Sequence, residues 1–174
     1  TVKDESLREP IRIQLASAHY KKGDFELAAK MFEHLLEDYS KSKLRGSMLF
    51  QAGESRFKLK EHAVARDHFA DAYKIFSRQD TMLAESVTMR LGETQALSGQ
   101  HKEAINTYRD FLKRFPESQW LRIAQFGLGY ALENSTTNNK NQQQAIDEYR
   151  KLYADPKNKK VDLWTVRARF QTGE

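Results

Sequence analysis

A chain of 174 residues, 39% apolar and 30% charged, can bury a sizeable core and most simply makes one domain or one array. It has no cysteine, which excludes disulfides and thiol chemistry. No apolar run approaches the roughly 18 residues needed to cross a bilayer. The net charge of +5 is modest. With three prolines and eight glycines, and with Ala, Leu, Glu, Lys, Arg and Gln abundant, the composition favours long helices.

In chain order, apolar periodicity predicts helices over 7–21 and 24–39, then 43–59 and 61–77, then 81–98 and 101–115. Further helices are expected over 118–134, 141–154 and 160–172. Asp24, Thr81 and Ser118 suit N-terminal positions. Turns are marked by Lys22-Gly23-Asp24, by Ser98-Gly99-Gln100 and by Phe115-Pro116. The stretch ENSTTNNKNQQQ between the seventh and eighth helices is polar and poor in helix formers. It reads as a surface loop carrying an insertion of about four residues. The closing VDLWTVRARFQTGE reads as the first helix of a fifth, unfinished unit. The chain opens on Thr1, which fits a processed or trimmed start.

One spacing recurs through these segments. Ala28, Ala65, Ala104 and Ala145 form a first column. Phe32, Phe69, Tyr108 and Tyr149 follow four places on, and Leu35, Ala72, Phe111 and Leu152 three places further. Offsets of four and seven put each set on one helix face. In the preceding helix of each pair stand Leu15-Ala16, Ala52-Gly53, Leu91-Gly92 and Leu128-Gly129, their second residues 37, 39 and 37 apart. Glycine inside a helix costs about 1 kcal/mol against alanine. Three in one column predict a partner helix too close for a Cβ, with the alanine column opposite. The unit is thus a hairpin of helix A and helix B that buries its apolar face only when stacked on a neighbour. The expected repeats are 9–42, 46–79, 85–118 and 122–157, with a partial fifth at 160–174, in a single array over 1–174.

These units resemble the tetratricopeptide repeat family, whose pattern runs L-G-x-x-Y, then A-x-x-x-F, then P. It stands here as LGETQ, EAINTY and RFP in the third unit, and as LASAH and LAAKMF in the first. The family's helix A tryptophan is replaced by Arg12, Leu49, Thr88 and Gln125. The resemblance implies an all-α, right-handed superhelical stack of antiparallel helical hairpins (an α-solenoid). FPESQWLRIAQFGLGYAL further resembles bacterial envelope repeat proteins, of the outer-membrane assembly lipoprotein and Tol–Pal coordinator type. That implies an envelope or periplasmic location, although SRQD in the second unit departs from the scheme.

By the same resemblance, helices A line a concave groove. Its first column would be Ile13, Phe50, Met89 and Phe126, its second Ser17, Glu54, Glu93 and Tyr130, with Tyr20 and Phe57 one turn on. Such an apolar lane bordered by acids suits an extended peptide or a partner helix. The family's carboxylate clamp needs Lys and Asn in these columns. Ile13 with Ser17, and Phe50 with Glu54, do not supply it.

No catalytic constellation is visible. His62 and His101 share the column of Phe25, His19 takes a position where the family carries tyrosine, and His34 and His68 belong to no column. No histidine pair has metal-ligand spacing, no Gly-x-Ser-x-Gly elbow or phosphate loop occurs, and no metal or cofactor is expected. Residues 150–169 hold Arg150, Lys151, Lys157, Lys159, Lys160, Arg167 and Arg169 against Asp155 and Asp162. With no nucleic-acid motif beside it, this excess reads as a solvated end. The expected partner is a protein or peptide, with no nucleic acid. The alternatives are an architectural or self-associating segment and an accessory region of a larger protein.

Overall fold

The computed structural model describes residues 2–79, 81–135, 139–154 and 163–173, and every regular element among them is an α-helix. In order these are α1 (Val2–Lys22), α2 (Phe25–Asp38), α3 (Arg45–Lys58), α4 (His62–Phe76) and α5 (Met82–Leu97), then α6 (His101–Arg114), α7 (Leu121–Ser135), α8 (Asn139–Arg150) and α9 (Leu163–Thr172). All nine lie where the apolar periodicity expects helices. The chain forms two compact units, Thr1–Val87 and Thr88–Glu174. Residues 155–162, with Lys157, Lys159 and Lys160 of the basic excess and both of its aspartates, fall outside the described residues.

Within each unit, consecutive helices pack together: α1 on α2, α2 on α3 and α3 on α4 in the first, α6 on α7, α7 on α8 and α8 on α9 in the second. The repeating columns form the cores. Ala28, Ala65, Ala104 and Ala145 are buried, as are the four aromatic residues after them and Leu35, Ala72, Phe111 and Leu152. Full burial of one such phenylalanine contributes about 1.5–3 kcal/mol, so this ladder is a main source of cohesion in each unit. Two buried hydroxyls are satisfied by the preceding turn of their own helix. Ser55 Oγ donates to the Gln51 carbonyl at 2.8 Å and Thr94 Oγ1 to the Arg90 carbonyl at 2.7 Å.

The first three hairpin turns share one geometry. After α1, the N–H of Gly23 donates to Tyr20 and that of Asp24 to His19. After α3, Lys60 donates to Phe57 and Glu61 to Arg56. After α5, Gly99 donates to Ala96 and Gln100 to Gln95. This paired pattern closes a helix through a left-handed residue, and Gly23, Lys60 and Gly99 all have positive φ, at 95°, 63° and 77°. In the second hairpin a lysine therefore holds a backbone conformation that disfavours a Cβ. At the N-termini, Thr81 Oγ1 accepts from the Ala84 N–H at 3.1 Å and Ser118 Oγ from Trp120 at 2.9 Å. Asp24 makes no side-chain cap.

Two expectations change. The glycine column does not oppose the alanines. A Cβ on Gly53 would fall 2.7 Å from the Phe69 ring, one on Gly92 2.9 Å from Tyr108, and one on Gly129 2.5 Å from Tyr149. Each glycine thus seats the large ring of its own hairpin, because a flat ring needs more depth than a methyl group. Nor is the polar stretch 133–144 mostly loop. α7 runs to Ser135 and α8 starts at Asn139, six residues before Ala145, whereas α2, α4 and α6 start three before their alanines. The insertion largely lengthens α8 by about one turn, which preserves the facing of its apolar columns. Asn141 Nδ2 donates to Ser135 Oγ at 2.8 Å, joining the two helix ends. Residues 136–138 lie outside the described residues.

Candidate functional site

The groove residues expected from the sequence fall into two sets. In the first unit, Ile13 packs on the core and Ser17 Oγ donates to its carbonyl at 2.9 Å. Tyr20 meets Phe25 edge-on, with centroids 5.3 Å apart, and Phe57 meets His62 in the same way at 5.4 Å. Phe50 lies 5.8 Å from Phe69. Glu54 is only 8% exposed, too buried to border an open lane.

In the second unit, four expected residues converge. Met89 and Glu93 of α5 and Phe126 and Tyr130 of α7 line a cleft of about 230 Å³, joined by Ala96, Leu97, Tyr108, Ile123 and Gly127, and by Trp164 and Arg167 of α9. Periodicity explains the convergence. Met89, Glu93, Ala96 and Leu97 share one face of α5, and Ile123, Phe126, Gly127 and Tyr130 one face of α7. Met89 itself is largely buried, forming floor rather than rim. Phe126, Tyr130 and Arg167 also line a neighbouring cavity of about 520 Å³ with Val166, Phe170 and Gln171.

Phe126 is central. Its ring centroid lies 5.3 Å from Tyr149 and 5.3 Å from Trp164, both tilted. Tyr108 fits beneath because Gly127 offers no Cβ; one there would come within 2.4 Å of the tyrosine ring. Burial, with the charge of Glu93, pushes the Tyr108 hydroxyl pKa up. Burial, and a 2.8 Å hydrogen bond to Glu133, does the same for Tyr149. Both phenols therefore stay neutral, and the base of the cleft is uncharged. Arg122 bridges the surrounding helices, donating to the Leu152 carbonyl at 3.1 Å and to Thr165 Oγ1 at 2.6 Å.

The sequence reading missed Trp164, Arg167, Val166 and Phe170. The signal was present: Trp164 and Arg167 stand three apart in a segment recognised as a helix A. Without a Leu-Gly step in that segment, nothing set its register against the groove columns.

Among the described residues, a dense charge cluster lies in the first unit. Arg56 of α3 donates to both oxygens of Glu33 on α2, at 2.6 and 2.8 Å, and to Glu61 at 2.9 Å; His68 of α4 is 3.1 Å from Glu33. Burial alone would raise the Glu33 pKa, but the bonds from Arg56 and His68 outweigh it and hold the carboxyl below its usual range. The bond to Glu33 likewise raises the Arg56 pKa, against the cost of burial. With its charges mutually satisfied, the cluster ties three helices together. Among the described residues no group of three His, Cys, Asp or Glu side chains could hold a metal, and no helix is long and apolar enough to cross a membrane.

Helical hairpins that repeat one core pattern and expose aromatic side chains between their first helices define an all-α repeat protein of the solenoid class. Models of the tetratricopeptide repeat match residues 13–80 and 87–118, together more than half of the chain, which therefore belongs to that family. No curated protein sequence matches significantly. Among solved structures, it is similar to the TPR-like repeats of a kinesin light chain from Podosopora anserina, at TM-score 0.72 and 13% identity, over 95% of this chain and 83% of that one. It is also similar to a MamA double mutant of strain RS-1, at TM-score 0.73 and 16% identity, with coverage of 95% and 83%. YrrB, described as a TPR protein with an unusual peptide-binding site, matches at TM-score 0.71 and 15% identity, with coverage of 95% and 76%. At these identities the likeness shows the fold.

Proposed function

We propose that this chain is a non-catalytic protein-binding module that seats a peptide or partner helix in the second unit's cleft. The observation that carries the reading is the aromatic lining: Phe126, Tyr130 and Trp164 surround a cavity open to a side chain. Burying one apolar side chain there would contribute roughly 1.5–3 kcal/mol before ordering costs. The peptide-binding site described for YrrB supports the reading by analogy. Site-specific photocrosslinking tests it. A benzophenone residue at Tyr130 should capture a partner in the native cell, while one at exposed Lys30 on α2 should not. Equal capture at both positions would end the groove proposal.

A second reading is self-association, favoured by Leu7, Ile11 and Leu15, an exposed stripe on α1 at helical spacing. Ile11→Glu should then shift the mass measured by light scattering to that of a monomer; a wild-type monomer at high concentration would dispose of it. The resemblance of FPESQWLRIAQFGLGYAL to envelope repeats supports a place in the bacterial envelope. Fractionation of the native cell tests that, and recovery in the cytoplasm alone would remove it.

A further inference from the structure

The cleft's charges indicate what kind of partner it selects. Two charged residues line it, Glu93 and Arg167. Glu93 is already engaged, accepting from Arg90 at 2.8 Å. Glu133, close by on α7, accepts from Tyr149 Oη at 2.8 Å and from Gln171 Nε2 at 2.7 Å. Arg167 differs. Its guanidinium stands over the Trp164 ring at 5.3 Å, and it has no carboxylate partner among the described residues. It lines both adjoining cavities, next to Phe126 and Tyr130. The second cavity is flanked by Phe170, which is 83% exposed, and by exposed Val166.

A guanidinium stacked on an indole is oriented and partly desolvated, so a carboxylate reaching it gains a directed, charge-assisted bond. The neighbouring rings provide the apolar seat. We propose, on the reading that this cleft is the binding site, that its ligand is a short acidic peptide segment. One aromatic or large aliphatic side chain enters between Phe126, Tyr130 and Phe170, and an Asp or Glu within about two residues meets Arg167. The basic surplus of the sequence acts in the same direction, drawing acidic segments toward the chain. Basic peptides are disfavoured because the lining carboxylate is already paired.

The experiment is selection of a random dodecapeptide display library on the whole chain, in parallel with Arg167→Glu and with Phe170→Ala, whose exposed side chain can be cut without disturbing the core. Circular dichroism establishes that each variant is folded. Wild-type selections should enrich an aromatic or large aliphatic residue with Asp or Glu within two positions. A synthetic peptide of that consensus should bind at least five-fold more weakly when its acids become Lys, and the preference should shrink in 0.5 M salt. Arg167→Glu should reverse the preference, and Phe170→Ala should weaken all selected peptides. Apolar peptides of neutral or basic character that still depend on Phe170 would overturn the acidic preference and leave the groove reading standing. Enrichment indifferent to Phe170 would overturn the seat proposed here and leave the groove reading standing, whereas failure to enrich any sequence would overturn both.

Discussion

Phe50 and Phe126 occupy the same column of their repeats, and each leans on the large ring of its own hairpin: Phe50 on Phe69 at 5.8 Å, Phe126 on Tyr149 at 5.3 Å. Their surroundings differ. Phe126 meets Trp164 on a further side and is followed by Gly127, which leaves room for Tyr108. Phe50 is followed by Gln51, and its neighbour in the second column, Glu54, is buried. Equal repeat position therefore does not give equal surroundings. The contact within a hairpin is reproduced by the repeat, whereas a cleft depends on what the other helices of the unit present.

The largest expected effect tests this contrast directly. Against a bound peptide, Phe126→Ala should lower affinity by about 10- to 100-fold, the equivalent of removing one buried apolar side chain. Phe50→Ala should leave affinity within about two-fold while still lowering thermal stability. Titration calorimetry with both variants decides, and equal losses would erase the distinction between the two regions.

What the two regions share is probed by Gly129→Ala. The exchange would gain about 1 kcal/mol of helix propensity at an open site. Here the added Cβ meets the Tyr149 ring at 2.5 Å, and overpacking should make the change destabilising by about 1–3 kcal/mol in urea unfolding. Gly53→Ala, facing Phe69 at 2.7 Å, should behave alike. A stabilised variant of either would mean that the ring has space to yield.

The turns supply a smaller contrast. Lys60 holds a φ of 63° where Gly99 stands in the second unit's turn. Lys60→Gly should gain roughly 1 kcal/mol and Gly99→Ala lose about as much, both read as shifts in unfolding midpoint. The smallest effect concerns pH in the first unit. Glu33 has a depressed folded pKa, so its stabilising contribution is complete above its unfolded value of about 4.3. That contribution is lost as pH falls through the folded value. Glu33→Gln should flatten the acid-side fall in melting temperature and cost less than about 1 kcal/mol at neutral pH. An unchanged acid limb would remove Glu33 from the explanation.

Length, helix formers and repeated offsets determined much of this protein by themselves: nine helices among the described residues, and the buried faces of the hairpins. Those signals are legible because a core position constrains residue size at every repeat. The tertiary structure decided what the glycines accommodate, since a missing Cβ records that space is needed but not whether a methyl or a ring fills it. It also decided that the polar insertion extends α8, because retained hydrogen bonds and facing outweigh weak local propensity. Above all it decided that Met89, Glu93, Phe126 and Tyr130 meet Trp164 and Arg167 in one cleft. Such a surface is assembled from helices far apart in the chain, where periodicity fixes each face but not its neighbour.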